Sequence, residues 1–405
     1  MIKLQKKSEE LVGEVNLPLS KSISNRVIII KALSSLVSHT DVADCEDSRV
    51  LFEAVEFGAD KINVGNAGTP YRFLLAYLSY VGIPVKLEGS KRMCERPIAE
   101  LVDALTELGA RIEYLGQKGF PPVHIVSGIK DGKQITIDQS RSSQFASALL
   151  LVAPYLKSGI ELQLKGESVS RPYLDMSIKL MELFGAKVHQ EGSVIRVEHS
   201  NYIERDYKVE RDWSSASYFF TLLSLSDKGE VLLKELSLDS LQGDSRCAKL
   251  YEAFGIQTEQ AEQGLRISKK EHKTGFELDL DMADTPDLVP SIIVSMIAVP
   301  AVHRIRGIKH LKIKESDRIQ VLAEHLEKLN VSISEEAGNV TIDTRDFNGI
   351  DNFVINSTDD HRMAMALSCL TQYVSSSSVP ESDVVKKSFP GFWNELSKFM
   401  SVTNA

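Results

Sequence analysis

Lysine and arginine recur in this chain where helices are expected to begin, and an unusual chemistry is implied by that placement. A helix N-terminus carries partial positive charge, so a cation there is unfavourable unless an anion lies between the two. In LPLSKSISNRVIIIKAL, Ser20 or Ser22 is suited to cap a helix, while Lys21 and Arg26 bring cations to its first turns. In GNAGTPYRFLLAYL, Gly65, Asn66 and Gly68 make a tight turn, Thr69 is the cap candidate, Pro70 suits the first helical position and Arg72 follows. RMCERP sets Arg92 and Arg96 before Pro97, VSRPY sets Ser170 and Arg171 before Pro172, and SRSSQF offers Ser142, Ser143 and Gln144 as neutral donors. The second half repeats the habit in KIKESDRIQ, TDDHRMAM and KKSFPGFW, which bring Lys314, Arg318, Arg362 and Lys387 to helix starts or loops. For any one of these residues a solvated surface charge is as good an account. For the whole set, a site for a multiply charged small anion, phosphate or carboxylate, is the better one.

The acid and base candidates are Glu315, next to Lys314, and Asp287 in DTPDLVPS, just ahead of an apolar run. Alone, the first reads as a helix N-terminal stabiliser and the second as a cap; their closeness in sequence to the cations promotes them to proton-transfer candidates. His361, between Asp360 and Arg362, reads better as a structural histidine than as a proton carrier. The chain has no GxxxxGK[ST], no GxGxxG between strand and helix, no HExxH, no CxxC and no GxSxG. No metal, cofactor or covalent serine chemistry is therefore expected.

The elements that must position these residues come as a repeated phrase: an amphipathic helix, a small-residue stop, a short strand, a polar turn and a second strand. Its stops are Gly109, Gly185, Gly255 and Asn330, residue types suited to the left-handed helix end. The spacings are 76, 70 and 75 positions. A weaker copy, EAVEFGADKINV, has its stop at Gly58, only 51 positions before Gly109, with one strand-like run instead of two. This unit is expected to be shortened, between about Ser34 and Val64, by a trimmed hairpin. A sixth unit ends in FWNELSKFM and is expected to take its closing strands from the chain's own N-terminus. Six units suggest two α/β domains of three units each, with the ligand site in a cleft between them.

Bulk properties fit. The chain has 405 residues, enough for two domains, with 43% hydrophobic and 25% charged residues. Its net charge of −9 argues against general affinity for nucleic acid or anionic membranes, so an anion site must be local. The four scattered cysteines, Cys45, Cys94, Cys247 and Cys369, suit a reducing cytoplasm, and the N-terminus has no signal-peptide pattern. The most apolar stretch, Leu288 to Val302, is interrupted by Pro290 and Pro300 and reads as a buried helix.

The segments LSKSISNR, GNAGTPYR, RMCERP, SSQF, VSRPY, KIKESDR, DDHRMAM and KKSFP resemble, in order, the motifs of the 3-phosphoshikimate 1-carboxyvinyltransferase family. The match runs from about residue 12 to about 393. The resemblance implies a two-domain enolpyruvyl transferase fold of βαβαββ units, with residues 1–17 and 211–405 in one domain and 18–210 in the other. It implies that Lys21, Ser22, Arg26, Ser142, Ser143, Gln144, Ser170, Tyr173, Asp287, His310 and Lys314 hold shikimate 3-phosphate. Lys21, Gly68, Arg96, Gln144, Arg318, Arg362 and Lys387 would hold phosphoenolpyruvate. Lys21, Asp287 and Glu315 would be catalytic, in a monomer needing no cofactor and binding neither nucleic acid nor membrane. His310 stands where the family pattern has Asn, Ser388 where it has Thr, and Pro70 where it has a small residue.

Two other readings compete. A UDP-N-acetylglucosamine 1-carboxyvinyltransferase would carry a reactive cysteine some five residues before an Arg-Pro pair, whereas Cys94 lies two before Arg96. A catalytically silent anion-binding scaffold of the same fold is favoured only by the shortened unit.

Overall fold

All five expected helix stops have left-handed backbone, with φ of 59° at Gly58, 101° at Gly109, 91° at Gly185, 76° at Gly255 and 59° at Asn330. The computed structural model describes residues 1–34, 41–140, 142–271, 274–336 and 338–404. Each full phrase then closes on an antiparallel hairpin: Arg111–Tyr114 with Val123–Ser127, Val188–Glu191 with Val194–Val197, Ile256–Ala261 with Gly264–Lys269, and Ser332–Glu336 with Asn339–Asp343. Positive φ is why glycine or asparagine ends each helix: the reversal into the hairpin needs a conformation that crowds a Cβ.

The chain separates into two compact units, Met1–Leu19 with Glu210–Ala405, and Ser20–Val209. The first contains three four-stranded sheets of one topology. In the first sheet Glu10–Asn16 runs parallel to Lys228–Lys234, which pairs antiparallel with Gly264–Lys269, itself paired with Ile256–Ala261. In the second, Asp279–Asp281, Val302–Arg306, Asn339–Asp343 and Ser332–Glu336 repeat that order. In the third, the strand order is Phe353–Val354, Ser377–Val379, Ile2–Lys6 and Met400–Asn404. The closing hairpin of that last unit is thus made from the two chain ends, one strand from each.

Three inner helices, Trp213–Ser224, Val289–Ser295 and His361–Ser368, pack on one another in this unit, and every residue of all three is buried. A helix apolar or small on all sides has no solvated face to keep, so it belongs at the centre of a core. Small side chains let the helices approach, as where the Ser217 and Ser291 hydroxyls meet at 2.9 Å. The run from Leu288 onward is this buried helix, and no helix among the described residues is long and apolar enough to cross a membrane.

The second unit contains two sheets of the same topology, Lys61–Asn63, Val85–Glu88, Val123–Ser127, Arg111–Tyr114 and Gln134–Asp138, Ile160–Lys165, Val194–Val197, Val188–Glu191. Its inner helices are Lys21–Leu33, Gly68–Val81 and Ser143–Val152, again mutually packed. The shortening goes further than a trimmed hairpin. Among the described residues, the helices Lys21–Leu33 and Glu46–Phe57 have no sheet of their own. The single strand-like run after Gly58 forms Lys61–Asn63, which pairs with Val85–Glu88 as the first strand of the next unit. Part of the shortened stretch, residues 35–40, lies outside the described residues.

Candidate active site

The candidate residues divide between the two units, many of them at or just before the first turns of helices. In the unit Ser20–Val209, Ser20 caps the helix Lys21–Leu33, its hydroxyl accepting from the Ile23 N–H at 3.4 Å. Arg26, one turn in, is buried and held by neutral groups. Its Nη1 donates to the Ser22 carbonyl at 2.7 Å, Nε to the Ser177 hydroxyl at 2.7 Å and Nη2 to the Tyr173 carbonyl at 2.8 Å. Its guanidinium also lies 5.4 Å from the centre of the Phe73 ring. Burial pulls the Arg26 pKa down to about 10, and the acceptors around it are two carbonyls and a hydroxyl. A buried cation held by neutral groups is a site that an anion stabilises.

Ser170 stands in left-handed backbone, φ 56°, as the cap of the helix Arg171–Leu183, and its carbonyl accepts from the Tyr173 N–H at 3.1 Å. Ser142 caps the helix that Ser143 begins, its hydroxyl accepting from the Gln144 N–H at 3.2 Å. The Gln144 amide nitrogen donates to the Thr69 hydroxyl at 2.9 Å, joining that helix to Gly68–Val81. Gly68 begins the latter helix, and the Arg96 guanidinium lies over it so closely that a Cβ at Gly68 would sit 2.5 Å from Nη1. The glycine is needed for Arg96 to occupy that place.

Two expectations change here. Thr69 is not the cap: Ala67 is, without a side-chain bond, and Thr69 and Pro70 fall inside the first turn. Arg72 is buried, donating to the carbonyls of Gly68 at 2.9 Å and Pro97 at 3.1 Å, with Phe145 5.3 Å away. Those bonds make it a brace for the Gly68 turn and the segment after Arg96.

In the other unit the cations are tied to carboxylates. Arg318, 1% exposed, donates from Nε to Asp360 at 2.9 Å, from Nη1 to Asp287 at 3.1 Å and from Nη2 to Glu315 at 3.2 Å. Arg362 holds the second Asp287 oxygen at 2.6 Å and lies 3.4 Å from the Tyr218 hydroxyl; Lys387 holds the second Glu315 oxygen at 2.9 Å. Burial alone would lower the Arg318 pKa, but Asp360, Glu315 and Asp287 outweigh it and hold the guanidinium above its ordinary value. Asp287 and Glu315 each carry two cationic partners. Lys387 ends the short helix Ser382–Lys387 instead of starting one.

Asp360 escapes a search for cations. It caps the helix His361–Ser368 by accepting from the Arg362 N–H at 3.0 Å, and its other oxygen takes Arg318 and the Ser316 hydroxyl at 3.1 Å. The signal was present in the repeated pattern of a capping Asp followed by a cation, Asp317 with Arg318 and Asp360 with Arg362. Asp244 was also missed. It is 3% exposed and takes a hydrogen bond from the Ser214 hydroxyl. Burial, then the negative charge of Asp287, raises its pKa to about 7. His310 is 6% exposed, and neither ring nitrogen meets a hydrogen-bond partner among the described residues. Burial, then Lys314, pushes its pKa down to about 3, so the ring is neutral. A buried neutral imidazole with both nitrogens unsatisfied is suited to a polar ligand group.

All four cysteines are free thiols. Burial raises the Cys94 pKa, with Glu88 and Glu95 adding to it and the Gly89 carbonyl hydrogen bond opposing. That is the reverse of what an activated thiol needs.

The EPSP synthase from Acinetobacter baumannii superposes with a TM-score of 0.77 at 20% identity over 100% of both chains. The enolpyruvyl transferase NikO from Streptomyces tendae superposes at 0.73 with 12% identity, over 100% of this chain and 98% of that one. The family model described as EPSP synthase (3-phosphoshikimate 1-carboxyvinyltransferase) matches residues 48–396. A 3-phosphoshikimate 1-carboxyvinyltransferase of Bacteroides fragilis is 39% identical over 394 residues, 96% of this chain and 95% of that protein. One from Methanoculleus marisnigri is 37% identical over 341 residues, 84% and 79% of the two chains. The chain belongs to the EPSP synthase family.

Proposed function

We propose that the chain catalyses the reaction for which its family is named, the transfer of the enolpyruvyl group of phosphoenolpyruvate to the 5-hydroxyl of shikimate 3-phosphate. The hydroxyl oxygen adds to the enol carbon while the methylene carbon gains a proton; phosphate then leaves as that carbon loses a proton, giving 5-enolpyruvylshikimate 3-phosphate. The proton lost by the hydroxyl is balanced by the one the methylene carbon gains, the proton lost at the second step leaves with the phosphate, and no covalent enzyme intermediate is needed.

The observation that carries this reading is the Arg318 hub, which holds Asp287 and Glu315 on one guanidinium with a second cation on each carboxylate. Phosphoenolpyruvate, assigned to Gly68, Arg96, Gln144, Arg318, Arg362, Lys387 and Lys21, brings its own phosphate and carboxylate to these donors. As it draws N–H groups from Asp287 and Glu315, the two side chains lose cationic partners and gain proton affinity, the change that acid-base work requires. Asp287 then takes the hydroxyl proton and Glu315 shuttles the methyl proton, with Lys21 assisting. Shikimate 3-phosphate is assigned to Lys21, Ser22, Arg26, Ser142, Ser143, Gln144, Ser170, Tyr173, Asp287, His310 and Lys314. The buried charge of Arg26 supports an anionic group there, and the neutral His310 ring supports a hydroxyl or phosphate oxygen as hydrogen-bond acceptor. We further place the enzyme in the cytoplasm as a monomer.

Mixing the purified protein with both substrates and following phosphate release tests the reading. Release that depends on both, with the enol ether appearing in step, is expected. Binding of both without release rejects catalysis in favour of a scaffold, and release only with UDP-N-acetylglucosamine as acceptor rejects the substrate.

A further inference from the structure

The shortened unit keeps two helices and no sheet among the described residues, which raises the question of what its second helix, Glu46–Phe57, is kept for. The two helices meet along a polar seam. Lys21 Nζ lies 3.0 Å from the Asp47 carboxylate, the Ala43 N–H donates to the Ser24 hydroxyl at 2.9 Å, and the Ser48 hydroxyl donates to the Asn25 side-chain carbonyl at 2.9 Å. Positions 21, 24 and 25 share one face of their helix, so the seam is a single continuous strip. It is also enclosed: Asp47 is 2% exposed, and Ser24, Asn25, Cys45 and Ser48 are fully buried.

The charges explain why an acid stands at position 47. Lys21 is the first residue of its helix, where the dipole disfavours a cation, and no acidic residue occupies that first turn. Asp47 lies in the first turn of Glu46–Phe57, where a carboxylate is favoured, and points that charge at Lys21. One carboxylate thereby satisfies two helix ends. The Lys21 side chain remains 12% exposed.

We propose that Asp47 is a positioning residue for the reaction, fixing the Lys21 ammonium for substrate, and that the helix Glu46–Phe57 persists in a unit stripped of its sheet because it carries that carboxylate. This rests on the assignment of Lys21 to substrate made above. A buried charge-assisted contact of this kind corresponds to a change of about tenfold or more in binding or rate.

A double-mutant cycle with Lys21→Ala tests it. Asp47→Asn in the wild-type chain should lower kcat/KM about tenfold or more, with the larger part in KM. In the Lys21→Ala background the same substitution should change kcat/KM less than about twofold. An equal loss in both backgrounds shows that Asp47 acts on the fold and not through Lys21, and no loss in either removes it from the reaction; both overturn the proposal. If Asp47→Asn fails to fold, Asp47→Glu replaces it in the cycle, since it keeps the charge and displaces it by one methylene. A second readout does not depend on turnover. Limited acetylation with acetic anhydride, followed by mass spectrometry, should label Lys21 several-fold faster in the Asp47 variant, and an unchanged rate overturns the proposal. A wild-type chain inactive on the two substrates yet showing faster Lys21 labelling in the variant would reject the assigned reaction and leave the seam standing.

Discussion

The two units bury arginines in opposite ways. Arg318 sits among three carboxylates, with a hydrogen bond from each of its nitrogens to one of them. Arg26 is just as enclosed but held by two carbonyls and a hydroxyl. The first arrangement balances its charge internally and so resembles a structural ion-pair network; the second leaves a positive potential for a ligand to answer. Removing a partner from a buried pair leaves an uncompensated charge, whereas removing an uncompensated charge relieves one. The unit with carboxylates is therefore expected to govern proton transfer and stability, and the unit with neutral partners to govern anion binding.

The sharpest way to break this division is Glu315→Gln. Turnover should fall roughly 10²–10⁴-fold, the usual range for losing a general acid-base group, with KM little changed. Steady-state kinetics check it, and unchanged turnover would remove Glu315 from proton transfer. Next is Arg318→Met, which takes one cationic partner from each of Asp360, Asp287 and Glu315. It should destabilise the fold by about 3–5 kcal/mol in urea titration. Arg26→Met should do the opposite to the balance of effects, leaving urea stability within about 1 kcal/mol and weakening shikimate 3-phosphate binding by about tenfold or more in calorimetry. Equal losses of stability in the two methionine variants would erase the contrast.

Gly68→Ala tests the anion unit more finely. Its new Cβ, 2.5 Å from Arg96 Nη1 in the present geometry, must push the guanidinium aside. The KM for phosphoenolpyruvate should rise by between several-fold and about a hundredfold, with stability nearly constant. The smallest effect is one of pH. Because burial and Asp287 raise Asp244 to about 7, the folded chain holds that proton where the unfolded chain releases it. Its contribution to stability is unpenalised below the unfolded value, and it declines as pH rises to about 7. Asp244→Asn mimics the protonated acid, so its melting temperature relative to wild type should climb between pH of about 4 and 7 and then level off.

Local chemistry made much of the molecule legible in advance. A left-handed stop followed by alternating residues is written in a few neighbouring positions, so Gly109, Gly185, Gly255 and Asn330 announced their hairpins and the repeat spacing announced the units. Cations beside helix caps are equally local, and they marked Lys21, Arg26, Arg318 and Arg362. Partner choice is another matter. Arg72 looked like Arg26 in sequence, yet it braces Gly68 and Pro97 because the chain turns back on it there. Spacing did not single out Asp360 or Asp244 as site residues, because the partners they hold, Arg318 and Ser214, lie 42 and 30 residues away.

The sequence by itself determined the repeat, the helix ends and the types of charge available, since each depends on residues within one or two turns. Only the tertiary structure decided which of those charges are neutralised and which are left for a ligand, because Coulomb energy depends on distance and burial and neither is a property of spacing along the chain. The shortened unit shows the same limit. Its missing positions could be counted from Gly58 to Gly109, but that its remaining helix holds Asp47 3.0 Å from Lys21 is a fact of packing.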